Sequence, residues 1–175
     1  MTAHRTILAV ALSLLGAATP ARAQQASITA NAQVSVIALS IAGTQNLDFG
    51  AVPQGVPTAV SPRTSLNAGR FIIHGFPFAQ FQLTFTLPPA LLRFPGPAIM
   101  PITFGANSAC GLTTNVQANC AFFNPANPFT TRIRLALWPN NTYFVWLGAT
   151  VTPGVAQAGG IYQGTVTATV AYTGN

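Results

Sequence analysis

From residue 26 onward the chain alternates. In residues 26–36 the even positions, Ala26, Ile28, Ala30, Ala32, Val34 and Val36, are apolar, and the odd positions, Ser27, Thr29, Asn31, Gln33 and Ser35, are polar. A half-buried β-strand imposes this period of two, because successive side chains point to opposite faces. The phase flips at Ile37, after which Ile37, Leu39 and Ile41 form the apolar set. A bulge or a change of sheet produces such a flip. Residues 69–75 and 79–87 read as two strands flanking a Phe76-Pro77-Phe78 corner, the second with Phe81, Leu83, Phe85 and Leu87 on one face. Residues 99–104 contain Pro101, which predicts an edge or bulged strand. Residues 131–138 place Ile133, Leu135 and Leu137 opposite Arg132 and Arg134, and residues 143–152 begin with an apolar run suited to a strand buried on both sides. The last segment, 161–172, aligns Tyr162, Val166, Ala168, Val170 and Tyr172 against Thr165, Thr167 and Thr169. Pro139-Asn140-Asn141 and Gly159-Gly160 are turn signals, and the Pro-rich stretch 87–98 reads as an ordered loop. No helical period occurs. About 8–10 short strands separated by turns predict an all-β sandwich or barrel.

The first 23 residues stand apart from this pattern. His4 and Arg5 precede an apolar run at residues 7–18, followed by Ala21-Arg22-Ala23 before Gln24. A positive start, a short apolar stretch and an A-x-A exit are the marks of a secretory signal peptide, and the run is too short to span a bilayer. The expectation is therefore a signal peptide over 1–23 and a single exported domain over 24–175, in the periplasm, at the cell surface or outside the cell. No other stretch is apolar enough for a transmembrane segment.

Composition sharpens the picture. Of 175 residues only 5% are charged, 50% are hydrophobic, and Gly and Pro number 15 and 14. All the basic side chains are arginine, and Asp48 is the only carboxylate side chain. A cytosolic helical protein carries Glu and Lys on its exposed faces, and a disordered chain is poor in apolar residues; this chain is neither. Thr, Asn, Gln and Ser must supply the polar surface. The mature chain keeps Arg63, Arg70, Arg93, Arg132 and Arg134, which are scattered and read first as solubilising charges. No nucleic-acid partner is expected. In an oxidising compartment Cys110 and Cys120 should form a disulfide across a polar, turn-rich loop, and no C-x-x-C redox pair exists.

The same inventory argues against catalysis. Paired carboxylates require a second acid beside Asp48. His74 is the one histidine of the mature chain, too few for a metal site once the thiols are oxidised. A triad around His74 and Asp48 would lack the G-x-S-x-G elbow that presents a serine. His74 reads instead as a strand residue near the surface, and Asp48 as a turn residue that bonds nearby backbone. No enzyme activity, cofactor or metal is expected.

Two elements carry a resemblance. Leu47, Asp48, Phe49 and Gly50 form an L-x-F-G element, and Gly160, Tyr162, Gly164 and Tyr172 mark a G-x-Y-x-G terminal strand that ends on tyrosine. Their order and their spacing from both ends resemble the bacterial secreted family numbered forty-four-oh-two among domains of unknown function. Spore coat protein U and chaperone–usher pilus subunits share both elements loosely. The resemblance covers nearly all of the mature chain. It implies an immunoglobulin-like, pilin- or adhesin-type β-sandwich at the cell surface, with a periplasmic chaperone and like subunits as partners. In pilus subunits the sandwich lacks a strand, which the chaperone and then the next subunit supply by β-augmentation. Residues 26–36 have the alternation of such a donor. Few residues precede them, so they equally read as the first strand of a self-contained domain. The expected function is non-enzymatic assembly or adhesion. The alternatives are a secreted carbohydrate-binding module, in which Trp138 or Trp146 would stack on sugar if exposed, and a small outer-membrane barrel.

Overall fold

A computed structural model describes residue 29, residues 31–32, 38–133 and 141–174. The chain divides into two units, Met1–Val34 and Ser35–Asn175. Of the first unit only Thr29, Asn31 and Ala32 are described, and they are exposed and outside any strand. The expected signal peptide over 1–23 lies outside the described residues, as do Ala26, Ile28, Ala30, Val34 and Val36 of the alternating segment.

The second unit is all-β. Its strands are β1 (Ser40–Gln45), β2 (Thr58–Val60), β3 (Gly69–His74), β4 (Gln80–Thr86), β5 (Ala90–Phe94), β6 (Ile99–Thr103), β7 (Ala109–Leu112), β8 (Ala121–Phe123), β9 (Phe129–Arg132), β10 (Thr142–Leu147), β11 (Ala149–Val151), β12 (Ile161–Gln163) and β13 (Thr167–Tyr172). They form three antiparallel sheets in the orders β1-β3-β10-β7-β8, β12-β5-β6-β11-β2 and β13-β4-β9. The sheets pack as a sandwich.

The main core lies between the first and third sheets. Ile73 from β3, Phe81 and Leu83 from β4, and Tyr143, Val145 and Leu147 from β10 meet there. Phe81 and Tyr143 pack edge to face with ring centroids 5.5 Å apart. Strand β10 is buried on both sides, as its apolar run predicts. Its other face places Trp146 and Phe144 on a second cluster with Val60, Ala68 and the two cysteines. A third cluster, of Met100, Ile102, Ala149 and Val151, lines the inner face of the second sheet.

Strands pass from one sheet to another without reversing. Leu147 pairs with Ala109 in the first sheet, and Ala149 pairs with Val60 in the second. Gly148 makes the crossing possible: a side chain there would collide with the Val60 carbonyl and with Pro62, whose Cδ would lie 2.8 Å from a Cβ.

Three expectations need correction. Residues 161–172 are two strands rather than one. Strand β12 pairs with β5, and β13 pairs with β4. The break falls at Gly164, where a Cβ would lie 2.8 Å from Leu91 Cδ2. The alternation survives the break because the chain keeps its direction. Residues 87–98 are not a loop: β5 occupies their middle, between Pro88-Pro89 and the Pro95-Gly96-Pro97 turn. Five residues are too few to display a period among so many prolines. Finally, β6 is an interior strand despite Pro101. The Pro101 carbonyl accepts a bond from Thr152 N–H at 3.0 Å. Its ring nitrogen faces the same side, opposite Thr152, so the one bond lost lies at the end of the β6–β11 ladder, beyond the last pair at Ile102 and Val151.

Candidate functional site

The chain contains no carboxylate pair, so the candidate site is defined by shape rather than by acid–base groups. Strands β12 and β13 follow one another along one side of the body, and each is the outermost strand of its sheet. Their inner neighbours are β5 and β4; among the described residues neither has a strand on its other edge. Strand β1 is likewise outermost in the first sheet and approaches β13 without pairing with it.

A cleft of about 1260 Å³ lies between the chain that leaves β1 and the chain that leads into β13. One wall contains Leu47, Phe49 and Gly50, and the opposite wall contains Gly160, Tyr162 and Gly164. The two elements that carried the family resemblance, distant in sequence, thus border one cavity. Tyr172 lies apart from it, at the end of β13.

Local chemistry explains both walls. Asp48 Oδ1 accepts a 2.8 Å bond from Gly50 N–H, the turn role its sequence context predicts. Gly50 has φ of 64°, a conformation that favours glycine. The Asp48 N–H donates to the Asn67 carbonyl at 3.0 Å and fixes the segment beside the start of β3. Leu47 and Phe49 then pack against both the Trp146 cluster and the cluster of the second sheet. On the other side, the Tyr162 hydroxyl donates to the Ala158 carbonyl and accepts from Gln157 Nε2, each at 2.6 Å. Gln157 Nε2 also reaches the Ile99 carbonyl at 3.0 Å, and Gln54 Nε2 donates to the Gln157 carbonyl at 2.5 Å. These bonds tie the two walls together below the cleft. Its floor is apolar, with Leu91, Met100, Ile102 and Val151. Sequence reasoning missed this floor because Pro101 concealed the inward set Met100 and Ile102.

An extended chain with apolar side chains at every second position suits such a cleft. The unpaired backbone groups of an outer strand supply the bonds, and the floor receives alternate side chains. The other candidate residues are not brought here. His74 ends β3, exposed, with Nδ1 3.1 Å from Thr142 Oγ1. Asp48 sits ahead of the opposite end of that strand, so the two cannot act together. Among the described residues no cluster of three or more His, Cys, Asp or Glu side chains forms. No helix among them is long and apolar enough to cross a membrane.

Cys110 and Cys120 form the expected disulfide, with Cα atoms 5.4 Å apart and both residues fully buried. A short 3-10 turn, Gln117–Asn119, brings Cys120 back to β7. The Arg63 guanidinium donates to the Cys120 carbonyl and lies 4.1 Å over the Phe122 ring. Trp146 is buried under this bridge and unavailable for stacking on sugar, and Trp138 lies outside the described residues.

Comparison with models of known protein families finds no match, and no curated protein matches the chain.

Proposed function

We infer that the protein is an exported, non-enzymatic surface protein with an immunoglobulin-like sandwich of the pilin or adhesin type, acting by accepting an extended strand along the outer edge of β12 and the cleft beside it. One observation carries the reading: β12, an outer strand of its sheet among the described residues, runs beside an apolar cleft, and Leu47, Phe49 and Gly50 face Gly160, Tyr162 and Gly164 across it. The alternating segment 26–36 carries an apolar residue at every second position. It is the natural occupant, either from the same chain or from another copy held in order by a chaperone. In the first case the protein is a self-contained monomer, and in the second a fibre subunit.

The test is deletion of residues 24–36, followed by addition of the matching peptide. The truncated protein should be unstable or aggregate, and the peptide should restore a soluble, cooperatively melting species. A truncated protein as stable as the intact one would refute strand acceptance. Size-exclusion of the intact protein then distinguishes the two forms: a ladder of stable oligomers means exchange between copies, and a single monomer peak means internal pairing.

A further inference from the structure

We propose that the outer face of the β12-β5-β6 portion of the second sheet is a contact between two copies of this chain. The register sets the side chains. Ile161 sits directly across from Phe94, Leu92 directly across from Ile99, and Pro101 extends the same face from its pairing with Ala90. All five are exposed, with Phe94 at 77%, Ile161 at 67%, Leu92 at 61% and Ile99 at 56%. Isolated exposed apolar residues are ordinary, but a block aligned across three strands is not.

The area favours a second copy. These side chains leave on the order of 500 Å² of apolar surface per chain. Two such faces apposed would cover roughly 1,000 Å², where specific protein interfaces begin. Their shape agrees, because sheets stack face to face through interdigitated side chains. Charge agrees as well. Neither Gln163 on β12 nor Thr103 on β6, the polar residues that share the face, is ionisable. A two-fold contact therefore brings no like charges together. Arg93, the one cation on these strands, is half-buried on the opposite face, and its Nε is buried without a hydrogen-bond partner. The face thus offers no cation to acidic head groups, which argues against a lipid surface as its occupant.

This contact does not rest on strand acceptance. It uses the face of the sheet, not its edge, and should break on dilution, whereas exchanged strands stay joined.

The experiment is sedimentation velocity on the full chain as the cell processes it, from about 1 µM to about 1 mM. The smallest stable species should double in mass reversibly as concentration rises. Phe94→Gln, which should fold normally because the side chain is exposed, should weaken the doubling at least about tenfold. Leu66→Gln changes a residue that is 86% exposed and outside the face, and should leave the doubling unaltered. Constant mass up to the highest concentration would overturn the proposal. So would equal doubling by Phe94→Gln, or equal weakening by Leu66→Gln. Flotation with vesicles of phosphatidylglycerol and phosphatidylethanolamine completes the test: Phe94-dependent binding by a protein that stays at constant mass would assign the face to a membrane instead.

Discussion

The hydroxyl of Tyr172, at the end of β13, accepts a 2.7 Å hydrogen bond from the backbone N–H of Phe76, in the corner between β3 and β4. The bond joins residues nearly a hundred positions apart and ties the last strand to a corner that joins two sheets. The corner is tight. Phe78 has φ of 62°, and its N–H donates to the Ile133 carbonyl at 2.7 Å. Gly75 lies beneath, where a Cβ would stand 2.9 Å from the Tyr172 hydroxyl and nearer still to Leu39 and Ile133. Tyr172 therefore closes one end of the main core.

Replacing Tyr172 with Phe keeps the ring and removes the acceptor. The expected loss is at least about 1 kcal/mol, the ordinary net value of the bond to Phe76 by itself. Urea denaturation checks it, and an unchanged midpoint would mean that water replaces the hydroxyl without cost.

The alternation in β13 predicts two different responses to charge. Val170 is half-buried and packs against the main core, whereas Thr167 is exposed. Val170→Asp should cost at least ~2 kcal/mol, because a carboxylate would meet an apolar surface with no partner. Thr167→Asp should stay within about 0.5 kcal/mol of the parent. Thermal melts of both variants decide the matter, and equal tolerance would remove the argument that one face of the last strand is the buried one.

The buried Cys110–Cys120 bridge should resist alkylation without reductant and take up two alkyl groups after reduction and unfolding. In the chain-entropy model, opening a loop of this length lowers stability by roughly 2.5–3 kcal/mol. Intact mass gives the first result and denaturant melts of a Cys110→Ser, Cys120→Ser double variant the second. Two thiols that alkylate in the oxidised native protein would contradict the bridge.

Much of this fold can be read from period-two patterning. Phe81 and Leu83 in β4, the doubly buried β10 and the half-buried even positions of β13 follow from it directly. Sheet membership does not. A strand that crosses at Gly148 or Gly164 keeps its alternation, so one uninterrupted pattern holds two strands of different sheets. Pro101 misleads for a related reason: its lost donor matters only if a neighbour needs it, and that depends on where β11 ends. The cleft was legible only in part. Its walls contain the residues that carried the family resemblance except Tyr172, but their meeting across the cavity depends on pairings far apart in sequence.

Tyr143 makes stability depend on pH in the alkaline range. The residue is 5% exposed, and its ring lies over Gly111, where a Cβ would be 2.5 Å from the hydroxyl. Burial pushes its pKa up from 10.0 to about 12, while a hydrogen bond with Thr131 pulls the other way. The fold thus favours the neutral phenol. This contribution is complete below the unfolded value of 10.0 and is lost as pH rises from there toward about 12. A shift of this size corresponds to roughly 3 kcal/mol at most. Wild-type protein should lose stability across that window, and Tyr143→Phe should lose less over the same range. Absorbance at about 295 nm follows the phenolates, whose unperturbed pKa is near 10. One of the three tyrosines should ionise only as the fold is lost. A Tyr143 phenolate forming near pH 10.0 in folded protein, read as the difference between wild type and Tyr143→Phe, would contradict its burial.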